Sequence, residues 1–547
     1  MYYRNRTIIL TLFLLLPLLT SRADTGAVPQ WFRDAVIYEV YPSAFADSNG
    51  DSMGDLPGIT KKLDYIKELG CNTIWLNACF ASEFRDGGYD VTDYYSIAPR
   101  YGTNEDMAVL LSAAHEKGIR VLLDLVAGHT SDKHPWFLQS MQREANEYTD
   151  RYIWTNDTTV CPDKFIVPAA SGSIRNGNYL KNYFPFQPAL NYGYGIVNPD
   201  HPWEEALSAP APTATRKELM KIMDFWADMG CDGFRIDMAG SLVKNDPTLE
   251  ATARLWNEVR AHYRSRHPEG VLLAEWGHPE KARRIGFTAD FLFQFGISGW
   301  RDLFCNETGV YKRDSCYFDT RGQGSPSRFI RSLLSSLDSL GGEGLVCLPT
   351  GNHDVQRLNC GHRSTPDELK TALAFILMMP CVPCIYYGDE IGMRFRENMP
   401  DIEGSLIKAG NRAGSRTAME WERVPGQLAD PLSVYNTIRQ LLQLRRLHPA
   451  LGTGGEIQFL ASATNDNSGT RMNYPLSFIR RDCNEIFLIA VNPSGQAVSV
   501  TYDIPGNRVV THTDSLLCNT DACTIKTNDD KLKVTLAPTS FLVYQLQ

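Results

Sequence analysis

The sequence predicts an α/β protein built on a closed parallel (β/α)8 barrel, with an inserted segment after the third strand and an antiparallel β-sandwich at the C-terminus. Three observations predict it. Eight short apolar runs alternate with amphipathic helical stretches between residues 35 and 450. The runs are apolar on both faces, as strands covered by helices must be. From about residue 455 the pattern changes to alternating strands separated by turn residues, the signature of a sheet with one wet face.

The predicted barrel strands are AVIYEVY (35–41), CNTIWLN (71–77), IRVLLDLV (119–126), CDGFRID (231–237), GVLLAEW (270–276), ADFLFQF (289–295), GLVCLP (344–349) and PCIYYG (383–388). Between the third and fourth, KELMKIMDFWADM places Leu219, Ile222, Met223, Trp226 and Met229 on one helical stripe. Residues 131–200, rich in Asn, Tyr, Pro and Gly, are too long for a plain connection and predict an inserted domain. Residues 394–432 form a second long excursion over the same rim. FLIAVNPS, AVSVTYDI and LKVTLAP read as sandwich strands. The expected division is a leader over 1–23, a barrel over 31–130 and 201–450, an inserted domain over 131–200 and a β-sandwich domain over 455–547.

The leader has Arg4 and Arg6 ahead of an apolar run from Ile8 to Leu19, then Ser21 and Ala23 in a small-x-small pattern. That pattern predicts a cleaved export signal and a periplasmic or extracellular protein. The run is 12 residues long, short of the ~20 that span a bilayer, so stable membrane insertion is not expected. A net charge of −9 disfavours nucleic acid and anionic membrane as partners, since either would repel an acidic surface. Thirteen cysteines are an odd number. Cys71, Cys231, Cys347, Cys381 and Cys384 sit in apolar runs as expected buried thiols. Cys305 with Cys316, and Cys518 with Cys523, are near enough in sequence for local disulfides.

In such a barrel, reactive groups lie at the C-terminal ends of strands. Strand three ends in Asp124, followed by His129; strand four ends in Arg235 and Asp237; strand five ends in Glu275. His353 and Asp354 follow strand seven. Positions i and i+2 of a strand share a face, so Arg235 and Asp237 point the same way. Read alone, that pair fits a structural salt bridge as well as an activated carboxylate. Four strand ends delivering carboxylates to one rim favour a site. Cleaving a glycosidic bond needs one carboxyl to protonate the leaving oxygen and one carboxylate to attack the anomeric carbon. Arg235 favours ionised Asp237, a nucleophile, and the apolar setting LLAEW favours protonated Glu275, a general acid. Asp354 is then placed to stabilise positive charge on the sugar ring, and His129 and His353 to bond sugar hydroxyls.

The segments DLVAGHT (124–130), GFRIDMAG (233–240), LLAEWGH (272–278) and TGNHD (350–354) resemble, in order, the four motifs of the α-amylase family of glycoside hydrolases (family 13), whose catalytic domain is a TIM barrel. GYDVTDY (88–94), FQPALN (186–191), YYGDEIGM (386–393) and SRTAMEW (415–421) are similar to its oligo-1,6-glucosidase and trehalose synthase branch. The resemblance implies Asp237 as nucleophile, Glu275 as acid/base and Asp354 as transition-state stabiliser. It implies Tyr89, Asp90, Asp124, His129, Arg235 and His353 around the subsite that holds the attacked sugar.

DSNGDSMGD (47–55) sets Asp47, Asn49, Asp51 and Asp55 at even spacings, and hard oxygens in that pattern suit Ca²⁺. The resemblance adds the Met53 carbonyl and implies a structural calcium there. Gly128 stands where the family usually has the asparagine of a different calcium site, so that ion does not carry over. Ala189, Ala418, Glu420 and Met238 also depart from the branch pattern and bear on specificity.

The expected activity is retaining hydrolysis of α-glucosidic bonds, α-1,4 first, in malto-oligosaccharides or starch-derived glucans. The alternatives are a transglycosidase such as a maltose-to-trehalose isomerase, an α-1,6-glucosidase, and a sugar-binding relative without catalysis. The intact acids speak against the last. Oligomeric state is not legible.

Overall fold

The computed structural model describes residues 28–166, 175–292, 299–305, 316–321, 324–400, 412–460, 474–503, 515–528 and 531–546. The expected export signal at 1–23 lies outside them.

Eight parallel strands close a barrel: β1 (Ile37–Val40), β2 (Thr73–Leu76), β3 (Arg120–Leu125), β4 (Gly233–Ile236), β5 (Val271–Ala274), β6 (Ala289–Phe291), β7 (Leu345–Pro349) and β8 (Val382–Tyr386). Each pairs with its neighbours in chain order, and β1 closes on β8 with Ile37 opposite Cys384. The strands fall on the eight predicted runs and are mostly shorter, because rim residues such as Asp237 and Glu275 leave the ladder to enter loops. Asp124 on β3 and Arg235 on β4 are register partners. Neighbours in a parallel ladder point to the same face, so this pairing presents a carboxylate to a guanidinium.

Helices sheathe the barrel. Pro210–Met229 begins with proline, which suits a first helical turn, and it buries Leu219, Ile222, Met223 and Trp226 as the stripe predicts. Trp226 stacks on Phe80 at 5.0 Å between ring centroids. Asn104–Glu116 and Pro366–Leu377 each start at a reciprocal capping box, Thr103 with Asp106 and Thr365 with Glu368.

Two excursions cover the C-terminal rim. The segment after β3 contains the helix Pro135–Ser140 and a short ribbon pairing Phe165–Ile166 with Tyr179–Leu180. Its own core is aromatic: Phe137 meets Tyr152 and Tyr179 edge-on, both at 5.0 Å. After β8, Arg412–Gly414, Trp421–Arg423 and Val424–Ala429 are short helical turns.

The C-terminal strands are β9 (Glu456–Leu460), β10 (Leu476–Arg481), β11 (Ile486–Asn492), β12 (Val498–Asp503), β13 (Ser515–Cys518), β14 (Thr524–Asn528), β15 (Lys531–Leu536) and β16 (Ser540–Gln545). They form two antiparallel sheets, ordered β9-β10-β11-β16-β13 and β12-β15-β14. Leu488, Ala490, Val500, Val534 and Leu542 make their shared core. Phe375 of the Pro366–Leu377 helix meets Phe478 of β10 edge-on at 6.1 Å, joining barrel and sandwich. Cys71, Cys231, Cys347, Cys381 and Cys384 are buried thiols, as their apolar runs predict, and Cys518 and Cys523 are not joined by a disulfide. Among the described residues, no helix is long and apolar enough to cross a membrane.

Candidate active site

A cavity of about 350 Å³ opens at the C-terminal rim. Asp237, Glu275 and Asp354 all line it, having arrived from β4, β5 and the turn after β7. Tyr89 and Asp86 come from the loop after β2, Tyr183 and Gln187 from the inserted segment, and Arg412 from the second excursion.

Arg235 organises the floor. Its side chain is 1% exposed, and its guanidinium meets three carboxylates: Nη1 donates to Asp124 Oδ1 at 2.8 Å and Asp237 Oδ1 at 3.1 Å, while Nη2 lies 2.9 Å from Glu275 Oε2. The guanidinium also rides over the rings of Trp75 and Tyr89. Asp124 accepts Tyr89 Oη at 2.7 Å and Trp75 Nε1 at 3.1 Å, and it lies beneath the cavity, outside its lining. Burial holds its carboxyl above the ordinary range, against the pull of Arg235.

Glu275 Oε2 also accepts the Met238 backbone N–H at 2.9 Å. Met238 has a left-handed backbone at φ 44°, an uncommon state for a residue with a side chain. The twist turns the chain just after Asp237, so that one loop offers a carboxylate to the cavity and an N–H to Glu275. Burial pushes the Asp237 carboxyl well up, the Glu275 charge adds to this, and Arg235 opposes both. The sequence expectation gave the arginine to Asp237 alone, whereas the structure divides it between the two acids.

Asp354 behaves differently. Burial works against its charge, yet Arg412 at 3.3 Å and Arg416 at 3.1 Å hold its carboxyl well below the ordinary range. Asn352 Oδ1 accepts the Asp354 N–H at 2.8 Å and fixes the turn. His353 is stacked on Tyr89, 5.2 Å away at 6°, and its Nδ1 lies 2.8 Å from Glu39 Oε1 at the end of β1. Burial and the surrounding arginines keep His353 neutral.

The other expected site residues are placed as follows. His129 borders the cavity, but Nε2–H is positioned to donate to the Tyr89 carbonyl at 2.9 Å and Nδ1 to accept from Asn182 at 3.0 Å. Both ring nitrogens are thus engaged by the protein in this structure. Asp90 lies behind the wall and ties down its own loop through Ser82, the Asp86 N–H and Arg85. Sequence reading missed Glu39, Asp86, Trp276, Arg412 and Arg416. Asp86 pairs with Arg412 at 3.4 Å and accepts from Gln187 at 2.7 Å, joining the loop after β2 to both excursions. Lys244 Nζ bonds Asn182 Oδ1 at 3.2 Å and the Ser241 carbonyl at 2.6 Å, a cationic tie from the inserted segment to the loop after β4 beside Gly128.

In the 47–55 loop, Asp47 accepts the backbone N–H groups of Asn49, Gly50 and Ser52 at 2.7–3.0 Å, which lowers its pKa. Asp51 accepts from Met53 N and Asn49 Nδ2. Asp55 instead caps the helix Leu56–Lys61 through the Gly58 N–H at 2.6 Å. Among the described residues, no three His, Cys, Asp or Glu side chains converge to hold a metal. Asp47 and Asp51 thus spend carboxylate oxygens on the loop's own N–H groups, and Asp55 caps the helix that follows.

Residues 39–454 match the family described as the α-amylase catalytic domain. The chain is 30% identical over 498 residues to a trehalose synthase/amylase of Mycolicibacterium smegmatis, covering 78% of this chain and 77% of that one. It is 30% identical over 481 residues to α-amylase 3 of Dictyoglomus thermophilum, covering 83% and 84%. The isomaltulose synthase of Klebsiella sp. LX3 superposes with a TM-score of 0.73 at 24% identity, over 94% of this chain and 99% of that chain. The chain belongs to the α-amylase family and is an enzyme that acts on glycosidic bonds.

Proposed function

We propose that the protein is an exported retaining glycosidase that cleaves α-glucosidic bonds, α-1,4 first, at the ends of short malto-oligosaccharides. The observation that carries the mechanism is the single guanidinium holding Asp237 and Glu275 side by side on the cavity floor. That closeness suits a retaining pair, whose carboxyls are nearer than those of an inverting pair. In the first step Asp237 attacks the anomeric carbon while Glu275 passes its proton to the glycosidic oxygen, and the aglycone leaves as an alcohol. In the second step Glu275 takes a proton from water, the hydroxide oxygen bonds the same carbon, and Asp237 departs. Two inversions give net retention. Asp354, kept ionised by two arginines, opposes the positive charge that grows on the ring.

Attack at a chain end is supported by the cavity's roof. Tyr183, Gln187 and Arg412 descend from the two excursions, and Asp86 ties to Gln187 and Arg412, an arrangement that favours a blind pocket over a through-cleft. Met238 beside the nucleophile is bulky but flexible, which leaves room for an α-1,4 aglycone. A second reading, transglycosylation, is favoured by the names of relatives, which include trehalose synthase/amylase and isomaltulose synthase. There a sugar hydroxyl would replace water in the second step. Export is read from the leader, and a structural calcium from the loop oxygens of Asp47, Asn49, Asp51 and Met53.

Incubation of pure protein with maltotriose, maltose, isomaltose, maltoheptaose, pullulan and sucrose, with products resolved over time, tests this. Glucose released stepwise from maltotriose and maltoheptaose is expected. Isomaltose favoured over maltotriose would refute the linkage, early mid-chain products from maltoheptaose the end attack, and trehalose or isomaltulose as main product the hydrolysis.

A further inference from the structure

Asp290, the middle residue of β6, is fully buried and lines no part of the cavity. Its carboxylate accepts four backbone N–H bonds. Oδ1 takes those of Trp276 at 3.0 Å, Gly277 at 3.2 Å and Phe291 at 2.8 Å, and Oδ2 takes that of His278 at 2.7 Å. Three of the donors are the three residues that directly follow Glu275. A lone carboxylate on the neighbouring strand therefore gathers the whole turn by which the chain leaves β5.

That turn needs a strong organiser. Gly277 is left-handed at φ 79°, and three successive N–H groups pointing inward would be buried orphans without an acceptor. The turn also fixes the Trp276 ring, which is packed so tightly on Gly240 that a Cβ there would lie 2.3 Å from it. Glu275 is thus held at both ends: its carboxylate by Arg235 and Met238 N–H from β4, and its backbone exit by Asp290 from β6.

We propose that Asp290 is the positioning residue for the general acid, fixing the backbone turn that aims the Glu275 carboxyl at the glycosidic oxygen. The proposal rests on the reading of Glu275 as acid/base. It makes a demand that a merely structural carboxylate would not. Misaiming an acid matters in proportion to how much the leaving group needs a proton, and a displacement near 1 Å costs about a hundredfold. Fluoride leaves without help, whereas phenoxide and sugar alkoxides need the proton.

The test measures kcat/KM, which reports the glycosylation step, for phenyl α-D-glucoside and α-D-glucosyl fluoride. Asp290→Asn keeps the size but offers one acceptor oxygen in place of two. The expected result is a loss of about a hundredfold for the phenyl glucoside and several-fold or less for the fluoride. Equal losses on both substrates would overturn the proposal. Asp290→Ser, whose hydroxyl can accept part of the cluster, is the second variant and should show the same split. If neither variant folds, the proposal also falls, because it assigns Asp290 a local task. Glu275→Gln on the same two substrates separates the layers. Without a leaving-group split in that variant, the acid assignment itself fails; with a split there but none at Asp290, only the positioning role fails.

Discussion

Two buried arginines in this barrel invite opposite conclusions. Arg235 and Arg357 are both almost fully enclosed, both lie over aromatic rings, and both meet aspartate. Arg357 Nη1 lies 3.2 Å from Asp389 Oδ1, and its other donors reach the backbone carbonyls of Tyr387 and Ser415. Asp389 spends its second oxygen on Thr350. That cluster does not line the cavity of the three acids, and Arg357 Nε is left there without a hydrogen bond. Arg235 also has carboxylate partners, but Asp237 and Glu275 turn the rest of their surface to an open space of about 350 Å³. Burial and pairing alone therefore do not mark a site. Shared charge beside an access route does.

The sharpest way to break this comparison is to neutralise each side. Asp237→Asn is expected to lower kcat by about four orders of magnitude or more, and Glu275→Gln by about two to four orders on unactivated substrates, with the fold retained by circular dichroism. Near-normal turnover by folded Asp237→Asn would make the rim cluster as structural as the other. On the other side, Asp389→Asn leaves the Arg357 charge poorly matched. It should cost about 3–5 kcal/mol, seen as a lower melting temperature, while activity per folded molecule stays within about threefold. A large activity loss without a stability loss would erase the contrast.

Next to Asp389, Glu390 sharpens it further. Its Oε1 accepts Tyr38 and Tyr65 hydroxyls at 2.9 and 2.7 Å, its Oε2 has no hydrogen-bond partner, and burial pushes its carboxyl up to about 7 from the ordinary 4.5. A raised carboxyl keeps its proton in the folded state after the unfolded chain has lost it. Its contribution to stability is complete below pH 4.5 and lost as pH rises to 7. Glu390→Gln should flatten that part of the melting-versus-pH curve, by on the order of 3 kcal/mol. An unchanged slope would show that Glu390 is ionised in place. The smallest effect concerns the loop at 47–55. Chelator should lower melting by a few degrees through loss of a folded-state ligand, and Asp51→Ala should remove that response. Metal-stripped protein that melts unchanged would end the calcium assignment.

Much of this was legible in the chain because apolar runs and strand-end residues are local signals. All eight barrel strands, the stripe on Pro210–Met229 and the three cavity acids could be read so. What escaped was long-range. Glu39 meets His353 from 314 residues away, and Arg416 reaches Tyr41 from 375. Asp290 sits in an ordinary-looking strand, ADF, and its role appears only when β6 lies beside the turn after β5. The sharing of Arg235 between two acids was also invisible, since spacing along one strand shows Asp237 as its neighbour but not Glu275. His129 reaches the cavity as expected, but proximity to a rim carboxylate did not show where its ring nitrogens are spent.

The proposed mechanism stands or falls on Asp237 being the group that bonds the sugar. A slow fluorinated α-glucosyl fluoride, which forms the glycosyl-enzyme faster than water releases it, can trap that state for peptide mapping by mass spectrometry. One label per chain is expected on the peptide containing Asp237, and none in Asp237→Asn. A label on Glu275 or Asp354, or inactivation with label elsewhere, would contradict it.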